Sequence, residues 1–379
     1  MNERSAILRV MNPALVAAVM LLAVFGSVMV SSAVSGMDAG SGMFKRHLFG
    51  LLIGLIPLVA AWVFDYRRLQ GWVGPLLLLD ALLILSPRIP GLGAAAKGAT
   101  SWLQIGGIRL FQPSEPAKLV TILVMAAIIA RYNGRIEKPR DVAKILGVLA
   151  IPLGLILLQP DLGTGLVFVA ITAGMLLIGG LQARWFAILG LAGIVLVSGL
   201  FWLNATLDRT TGEDKLIKNY QLDRLMVFVD PSADPKGAGY NLEQSKIAIG
   251  SGEVTGKGIG SGTQGNLNFL PERHTDFIFS VLGEELGFLG AAILLGLYLI
   301  LLVTALEISA SSRDLFGALI VAGIISMWTF QILENVGMTI GLMPITGIPL
   351  PFMSFGSSFM VTNMMATGML LSVWARRYA

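Results

Sequence analysis

Of 379 residues, 55% are hydrophobic and only 13% charged, and the mean hydropathy is +0.77. Soluble domains carry about twice that share of charge, which excludes a soluble enzyme, a disordered chain and a nucleic-acid binder and leaves a polytopic membrane protein. The net charge of +4 then marks topology rather than an acidic partner. With no cysteine and two histidines, His47 and His274, disulfides, thiolate metal sites and a histidine metal cluster are also excluded.

Ten apolar stretches follow in chain order, at about 14–34, 48–64, 72–86, 117–131, 143–158, 162–181, 185–203, 276–306, 315–341 and 357–375. The third, fourth and fifth are short for a span. The first is too long for a signal-peptide core, and further spans follow it. The fold class expected is therefore an all-α polytopic membrane protein of ten transmembrane helices, with both termini on one side. Basic residues choose that side. With the termini cytoplasmic, the inner segments hold thirteen Lys and Arg and the short outer loops six. The larger loops, 87–116, 204–275 and 342–356, then all lie on the outer face. A chain that invests irregular segments on one face usually works there. The whole of 1–379 reads as one membrane domain, with 204–275 a large extracytoplasmic loop within it. No tandem repeat is visible, which weighs against a transporter of two related halves.

Charges at membrane depth are functional candidates by default. In 111–119, FQPSEPAKL, Ser114 reads as a helix N-cap and Pro116 as first-turn proline. Glu115 and Lys118 are then i, i+3 neighbours, either a structural pair or a charged cavity wall. In 159–165, QPDLGTG, Asp161 reads as an N-cap with Thr164 one turn on. In 271–287, PERHTDFIFSVLGEELG, Thr275 or Asp276 starts the eighth span, and Glu284 and Glu285 lie two to three turns deeper. In 349–360, PLPFMSFGSSFM, a Pro- and Gly-rich loop enters the tenth helix with Ser354, Ser357 and Ser358 near its start. Asp80 lies in the third span, and Glu334 near the end of the ninth.

Topology joins these signals. Spans four, six, eight and ten all start on the outer face, and helix N-termini carry free N–H groups and partial positive charge. Their convergence is expected to form a site for a phosphate or pyrophosphate, strengthened by Lys118, Arg109 and Arg273, with Asp161 and Asp276 beside it as acids, bases or metal ligands. Two features are set aside. The run GSGEVTGKGIGSGTQG at 250–265 is not a P-loop: Ser251 and Gly258 stand where Gly and Ser/Thr are required. It reads as a tight turn above the membrane, preceded by a short amphipathic helix over YNLEQSKIAI. His274, two residues from an aspartate, reads as a hydrogen-bonding partner rather than a base.

Five ordered motifs, FQPSEPAKL, QPDLGTG, AIGSGEVTGKGIGSGTQ, FLPERHTDFIFSVLGEELGFLG and NVGMTIGLMPITGIPLPFMSFGSS, resemble the SEDS family of bacterial cell-wall polymerases, the RodA and FtsW proteins, over about residues 12–375. Compact length and LPERHTDFIF are more similar to the elongation-type RodA branch than to the division-type FtsW branch. The resemblance implies ten transmembrane helices and a peptidoglycan glycosyltransferase that polymerises lipid II into β-1,4 glycan. The lipid pyrophosphate leaves in a single inverting displacement. It further implies an essential aspartate at Asp276, a supporting pair at Glu115 and Lys118, and substrate contacts at Trp102, Asp161, Ser354 and Ser358. Gln112, Thr164, Arg109 and Arg273 belong to the expected substrate-binding set with them. A divalent cation, Mg2+ or Mn2+, is a further source of positive charge for the leaving pyrophosphate. The implied partner is a class B penicillin-binding protein, since no Ser-x-x-Lys set on an outer soluble domain is present to cross-link peptides. The chain departs from the family in having Phe355-Gly356-Ser357-Ser358 for Tyr-Gly-Gly-Ser, and Glu253 where a second glycine is common. The same carboxylates would also serve a proton relay in a lipid-precursor flippase, the competing expectation. A third is a non-catalytic scaffold, in which Asp276 only caps a helix.

Overall fold

The computed structural model describes residues 11–37, 39–96, 99–105, 108–159, 161–210, 226–228, 230, 234–235, 237–266 and 269–378. Each expected apolar stretch falls on a helix. In chain order these are α1 (Pro13–Ala33), α2 (Gly40–Val63), α3 (Val73–Leu85), α4 (Ser114–Ile129), α5 (Pro139–Leu158), α6 (Leu162–Ile178) and α7 (Ala183–Thr210). Two helices lie in the long loop, α8 (Ala238–Ser251) and the single turn α9 (Thr263–Asn266). Then come α10 (Ile278–Ala310), α11 (Leu315–Ile340) and α12 (Ser357–Ala375). Seven of the described helices are long and apolar enough to cross a membrane: α1, α2, α5, α7, α10, α11 and α12. The chain is a mostly helical, multi-pass membrane protein.

One departure from an all-helical fold lies between α3 and α4. There β1 (Gly93–Ala96), β2 (Ala99–Ile105) and β3 (Ile108–Phe111) form an antiparallel sheet in the order β1-β2-β3, where an irregular loop was expected. The Gly106–Gly107 pair between two β-prone runs is a hairpin signal in the sequence that Gly- and Pro-rich composition obscures.

The buried centre is α4, α11 and α12. Helix α2 packs on α12 through small residues. A Cβ added at Gly50 would meet Ser357 Cα at 2.9 Å, and one at Gly368 would collide with the Leu58 carbonyl. Close backbone approach of this kind is how helices associate where no hydrophobic force separates lipid from side chain. One end of the bundle is tied by a polar network. The Tyr66 hydroxyl donates to Asp314 at 2.7 Å. Arg376 donates to the carbonyls of Trp62 and Val63 and lies 3.6 Å from Asp65. Burial, and then the Asp314 carboxylate that accepts its bond, push the Tyr66 phenol up to about 12.

Helix α10 is interrupted at Gly287 (φ 61°, ψ −158°). The glycine-rich segment after α8 enters this break. Lys257 and Gly258 donate their N–H groups to the carbonyls of Glu284 and Glu285 at 3.0 and 2.9 Å, and Phe288 and Leu289 donate to those of Glu253 and Val254 at 2.9 and 3.0 Å. The segment expected as a turn above the membrane is therefore threaded into the helix, supplying the partners that a broken helix lacks. Only glycine permits it: a Cβ at Gly256 would collide with the Glu285 carbonyl. Helix α8 docks beside it as an amphipathic helix with Leu242, Ser245 and Ala248 buried. Ser245 Oγ is 2.6 Å from Ser280 Oγ and donates to the Thr339 carbonyl at 2.7 Å.

Glu253 holds the left-handed conformation, φ 49°, and the strain of a side chain there is about 1–2 kcal/mol. Glu253→Gly should raise stability by about 0.5–1 kcal/mol. Gly256→Ala, with positive φ and no room, should lower it by about 2–4 kcal/mol. Thermal unfolding in detergent checks both, with Gly190→Ala, which lies inside α7 and meets nothing within 4 Å, expected to gain about 0.5–1 kcal/mol as a contrast to Gly256→Ala.

Candidate active site

At the end of the bundle opposite Arg376, the loop 342–356 is a hub on which three elements meet. Asp276 precedes α10 in a turn in which its N–H donates to the Glu272 carbonyl at 3.1 Å. Helix α10 begins at Ile278 with Phe277 as N-cap, so neither Thr275 nor Asp276 caps it as expected, because the turn closed on Glu272 delays the helix. Asn335 on α11 donates from one amide nitrogen to the carbonyls of Asp276 (2.9 Å) and Ile348 (2.8 Å). Ser354 accepts from Leu350 N–H at 2.8 Å and donates to the Thr275 carbonyl at 2.7 Å. Asp276 is thus pinned from both sides through its backbone, while its carboxylate faces Gly347: a Cβ there would stand 3.1 Å from Oδ2. Glycine at Gly347 (φ 76°) keeps this face of the carboxylate open.

The second element is α4. It starts at Ser114 with Pro113 as N-cap. Ser114 is therefore the first helical residue rather than the cap, because Gln112 and Pro113 already offer carbonyls to Glu115 and Ala117. Glu115 and Lys118 are 4% and 2% exposed, and the ammonium lies 2.9 Å from each carboxylate oxygen. It also stands over the Phe359 ring, 5.5 Å from its centroid. Gln112 N–H donates to Ser358 Oγ at 3.0 Å, joining α4 to the start of α12. Ser354 at one end of this stretch touches Thr275, and Phe359 at the other touches Lys118. Five residue steps limit the Cα separation of those two contacts to about 18 Å.

The third element is the start of α6. Asp161 caps it as expected, accepting from Thr164 N–H at 3.0 Å and from its hydroxyl at 2.8 Å. Two residues after Asp161, Gly163 lies against the Thr346 carbonyl of the hub, and Thr346 donates to Glu334 at 2.7 Å.

Asp276, Glu115, Lys118, Gln112, Asp161, Thr164, Ser354 and Ser358 thus share one end of the fold and are linked through 342–359. Trp102 stands apart on β2, opposite Ala94, and Arg109 on β3, opposite Gln104. The side chain of Arg109 lies outside the described part. The sheet reaches the site through Phe111 and Gln112. Arg273 is 1% exposed and donates to the carbonyls of Ala33 and Ser35 at 2.6 and 3.3 Å, holding the end of α1. His274 packs on Phe355 with ring centroids 5.5 Å apart. Among the described residues no three His, Asp or Glu side chains gather as a metal cage.

Sequence reasoning missed Asn335. Its signal was faint: an amide beside Glu334 in the last turns of an apolar helix, where each polar group needs a partner. It also missed the pairing of the two deep glutamates. Glu284 Oε1 accepts from Lys257 Nζ (2.7 Å), Thr263 N–H (2.7 Å) and Gln264 N–H (3.2 Å). Glu285 accepts from Ser32 on α1 at 2.6 and 2.8 Å. Both hold the inserted segment rather than the site around Asp276.

Residues 12–379 match the FtsW/RodA/SpoVE family model, described as a cell cycle protein. The chain belongs to this family. It is 36% identical over 372 residues to the peptidoglycan glycosyltransferase MrdB of Escherichia coli K12, covering 97% of this chain and 94% of that one. It is 37% identical over 363 residues to a probable peptidoglycan glycosyltransferase FtsW of Trichlorobacter lovleyi, covering 94% and 91%. Its fold matches a chain from a peptidoglycan synthase complex that coordinates polymerization and crosslinking, with TM-score 0.79, 30% identity and coverage of 98% and 99%. It also matches the crystal structure of the rod shape determining protein RodA of Thermus thermophilus, with TM-score 0.70, 27% identity and the same coverage. The protein is thus a membrane enzyme of the SEDS family, whose curated relatives are peptidoglycan glycosyltransferases.

The buried Glu115–Lys118 pair makes a stability prediction that separates packing from chemistry. Glu115→Gln or Lys118→Met alone leaves a buried charge unpaired and should cost about 3–5 kcal/mol, whereas the double variant should recover most of it. Thermal unfolding measures this. Glycan synthesis should stay lost in the double variant.

Proposed function

We propose that this protein polymerises lipid II into β-1,4 glycan strands on the outer face of the cytoplasmic membrane. The acceptor sugar hydroxyl attacks the anomeric carbon of the donor, the bond from that carbon to the pyrophosphate oxygen breaks, and undecaprenyl pyrophosphate leaves with the bonding electrons. Asp276 takes the proton from the attacking hydroxyl. One displacement converts the α-linked donor to a β-linked product, so no covalent glycosyl-enzyme is needed. Lys118 and the N-termini of α4, α6 and α12 favour the departing pyrophosphate, with Glu115 holding Lys118 in place. Arg109, on the sheet beside α4, adds to that positive charge. A divalent cation in this site would be held by substrate phosphates and one carboxylate, the usual way magnesium binds without a protein cage.

The observation that carries the reading is the treatment of Asp276. Its backbone is clamped by Asn335 and, one residue earlier, by Ser354, while its carboxylate is turned to a glycine at the loop hub. A residue serving only to cap α10 would sit at the cap. The topology expected from basic residues puts this end outside, with ten spans and both termini cytoplasmic. Lipid II is then met on the face where glycan is built. We assign the protein to the elongation-type branch and to rod shape, on its compact length and its LPERHTDFIF motif, with a class B penicillin-binding protein as cross-linking partner. The division-type role is the second reading, favoured by the FtsW relative of comparable identity. Rescue of rod shape, against rescue of septation, in strains depleted of one or the other polymerase separates the two.

Asp276→Asn should lower polymerisation of lipid II by at least about 100-fold without lowering the unfolding temperature, read from the glycan ladder made by purified protein with and without its partner. Equal ladders from wild type and variant would remove Asp276 as the base. Lipid II crossing vesicles with no glycan formed would instead support transport. Because the chain has no native cysteine, topology is directly testable. Ser41→Cys should react with an impermeant maleimide from outside intact cells, and Ser311→Cys only after the membrane is opened.

A further inference from the structure

At the Arg376 end of the bundle, a cleft of about 550 Å3 opens between the starts of α3 and α5 and the end of α4. Two cations line it, Arg131 and Lys144, together with Tyr132 and the small or apolar Val73, Ile128 and Gly147. Neither cation is ion-paired to a described carboxylate. The nearby carboxylate is Asp141, which acts on the Tyr132 phenol. Burial first, then Asp141, raise that phenol against the lowering effect of Arg131, so it stays protonated as a hydrogen-bond donor. The stretch 131–144 carries five basic and two acidic residues.

Position narrows the occupant. Trp72, beside Val73, is 58% exposed, and an exposed tryptophan at a span end marks the headgroup level of a bilayer. From the cleft the surface runs into the membrane over exposed apolar side chains, Ile151 one turn beyond Gly147 on α5 and Leu79 on α3. A ligand that fits has an anionic head for the two cations and a long apolar tail for the flank. A free anion would leave that flank unused, and the apolar flank runs into the membrane, where lipid rather than a soluble protein meets it.

We propose that this cleft binds the phosphate headgroup of an anionic glycerophospholipid of the cytoplasmic leaflet. Arg131 and Lys144 hold the phosphate, Tyr132 donates a hydrogen bond, and the acyl chains lie along α3 and α5. The leaflet assignment rests on the topology proposed above; the chemistry of the site does not. The site is separate from Asp276, at the other end of the bundle, and anchors the α3–α4–α5 corner of the protein to the membrane.

The test is native mass spectrometry of the detergent-purified protein titrated with phosphatidylglycerol and, separately, with phosphatidylcholine of the same acyl chains. Wild type should bind phosphatidylglycerol at least tenfold more tightly. Arg131→Gln/Lys144→Gln should lose about twenty-five-fold of that affinity, roughly fivefold for each cation near the surface. Gly147→Phe keeps both cations and places a ring in the cleft that Gly147 lines; a Cβ at Gly147 meets nothing within 4 Å, so the variant should fold and lose the lipid as well. Equal binding of the two lipids by wild type overturns the proposal without any variant, as does full binding by Gly147→Phe. Thermal protection by glycerol phosphate equal to that by phosphatidylglycerol would make the ligand a free anion and overturn the lipid assignment. The readout is bound mass, so a polymerase-dead protein that still binds lipid leaves this proposal standing while the proposed function falls.

Discussion

In hydrocarbon there is no water to pair with an orphaned peptide group, and each one left bare costs several kcal/mol. This constraint governs the interruption of α10. A helix that breaks at Gly287 abandons two carbonyls and two N–H groups at membrane depth, and residues 253–258 return partners to all four. The insertion in turn requires glycine at 256, where the two backbones touch. It also needs charge neutralisation for the lysine carried in with the loop, which Glu284 supplies. What reads in the sequence as a free glycine-rich turn is hydrogen-bonded into the break of α10.

The same rule explains the distribution of charge. Lys118 with Glu115, Lys257 with Glu284, and Ser32 with Glu285 each join separate turns or separate elements inside the bundle. Such pairs are costly to desolvate and do little for net stability, but they penalise any packing that separates them. Asp276 differs. Its neighbours hold its backbone, through Asn335 on the carbonyl and Ser354 on the residue before it. A carboxylate whose main chain is fixed on both sides is presented to the loop hub in a set position.

The loop 342–356 links these parts. Its Thr346 meets Glu334 and the first turn of α6, its Gly347 meets Asp276, and its Ser354 closes on Thr275. Three helix starts distant in sequence are brought to one end by a segment without regular structure.

The apolar stretches, the i, i+3 pairing of Glu115 with Lys118 and the capping of α6 by Asp161 were legible in the sequence, because each depends on periodicity or on neighbours within one turn. The family motifs likewise marked Asp276, Ser354 and Ser358. The small sheet between α3 and α4 was not read, since glycine-rich composition resembles irregular loop. The starts of α4 and α10 were misplaced by one or two residues, because the turn before each helix competes for the same N–H groups. Arg273 reads as a cation for a substrate, yet it spends its donors on the end of α1. The roles of Asn335, of Glu284 and Glu285, and of the inserted glycine segment were decided only by the tertiary structure. Each rests on a hydrogen bond between residues far apart in the chain, and in a membrane it is the supply of such partners, rather than local propensity, that decides where the backbone can go.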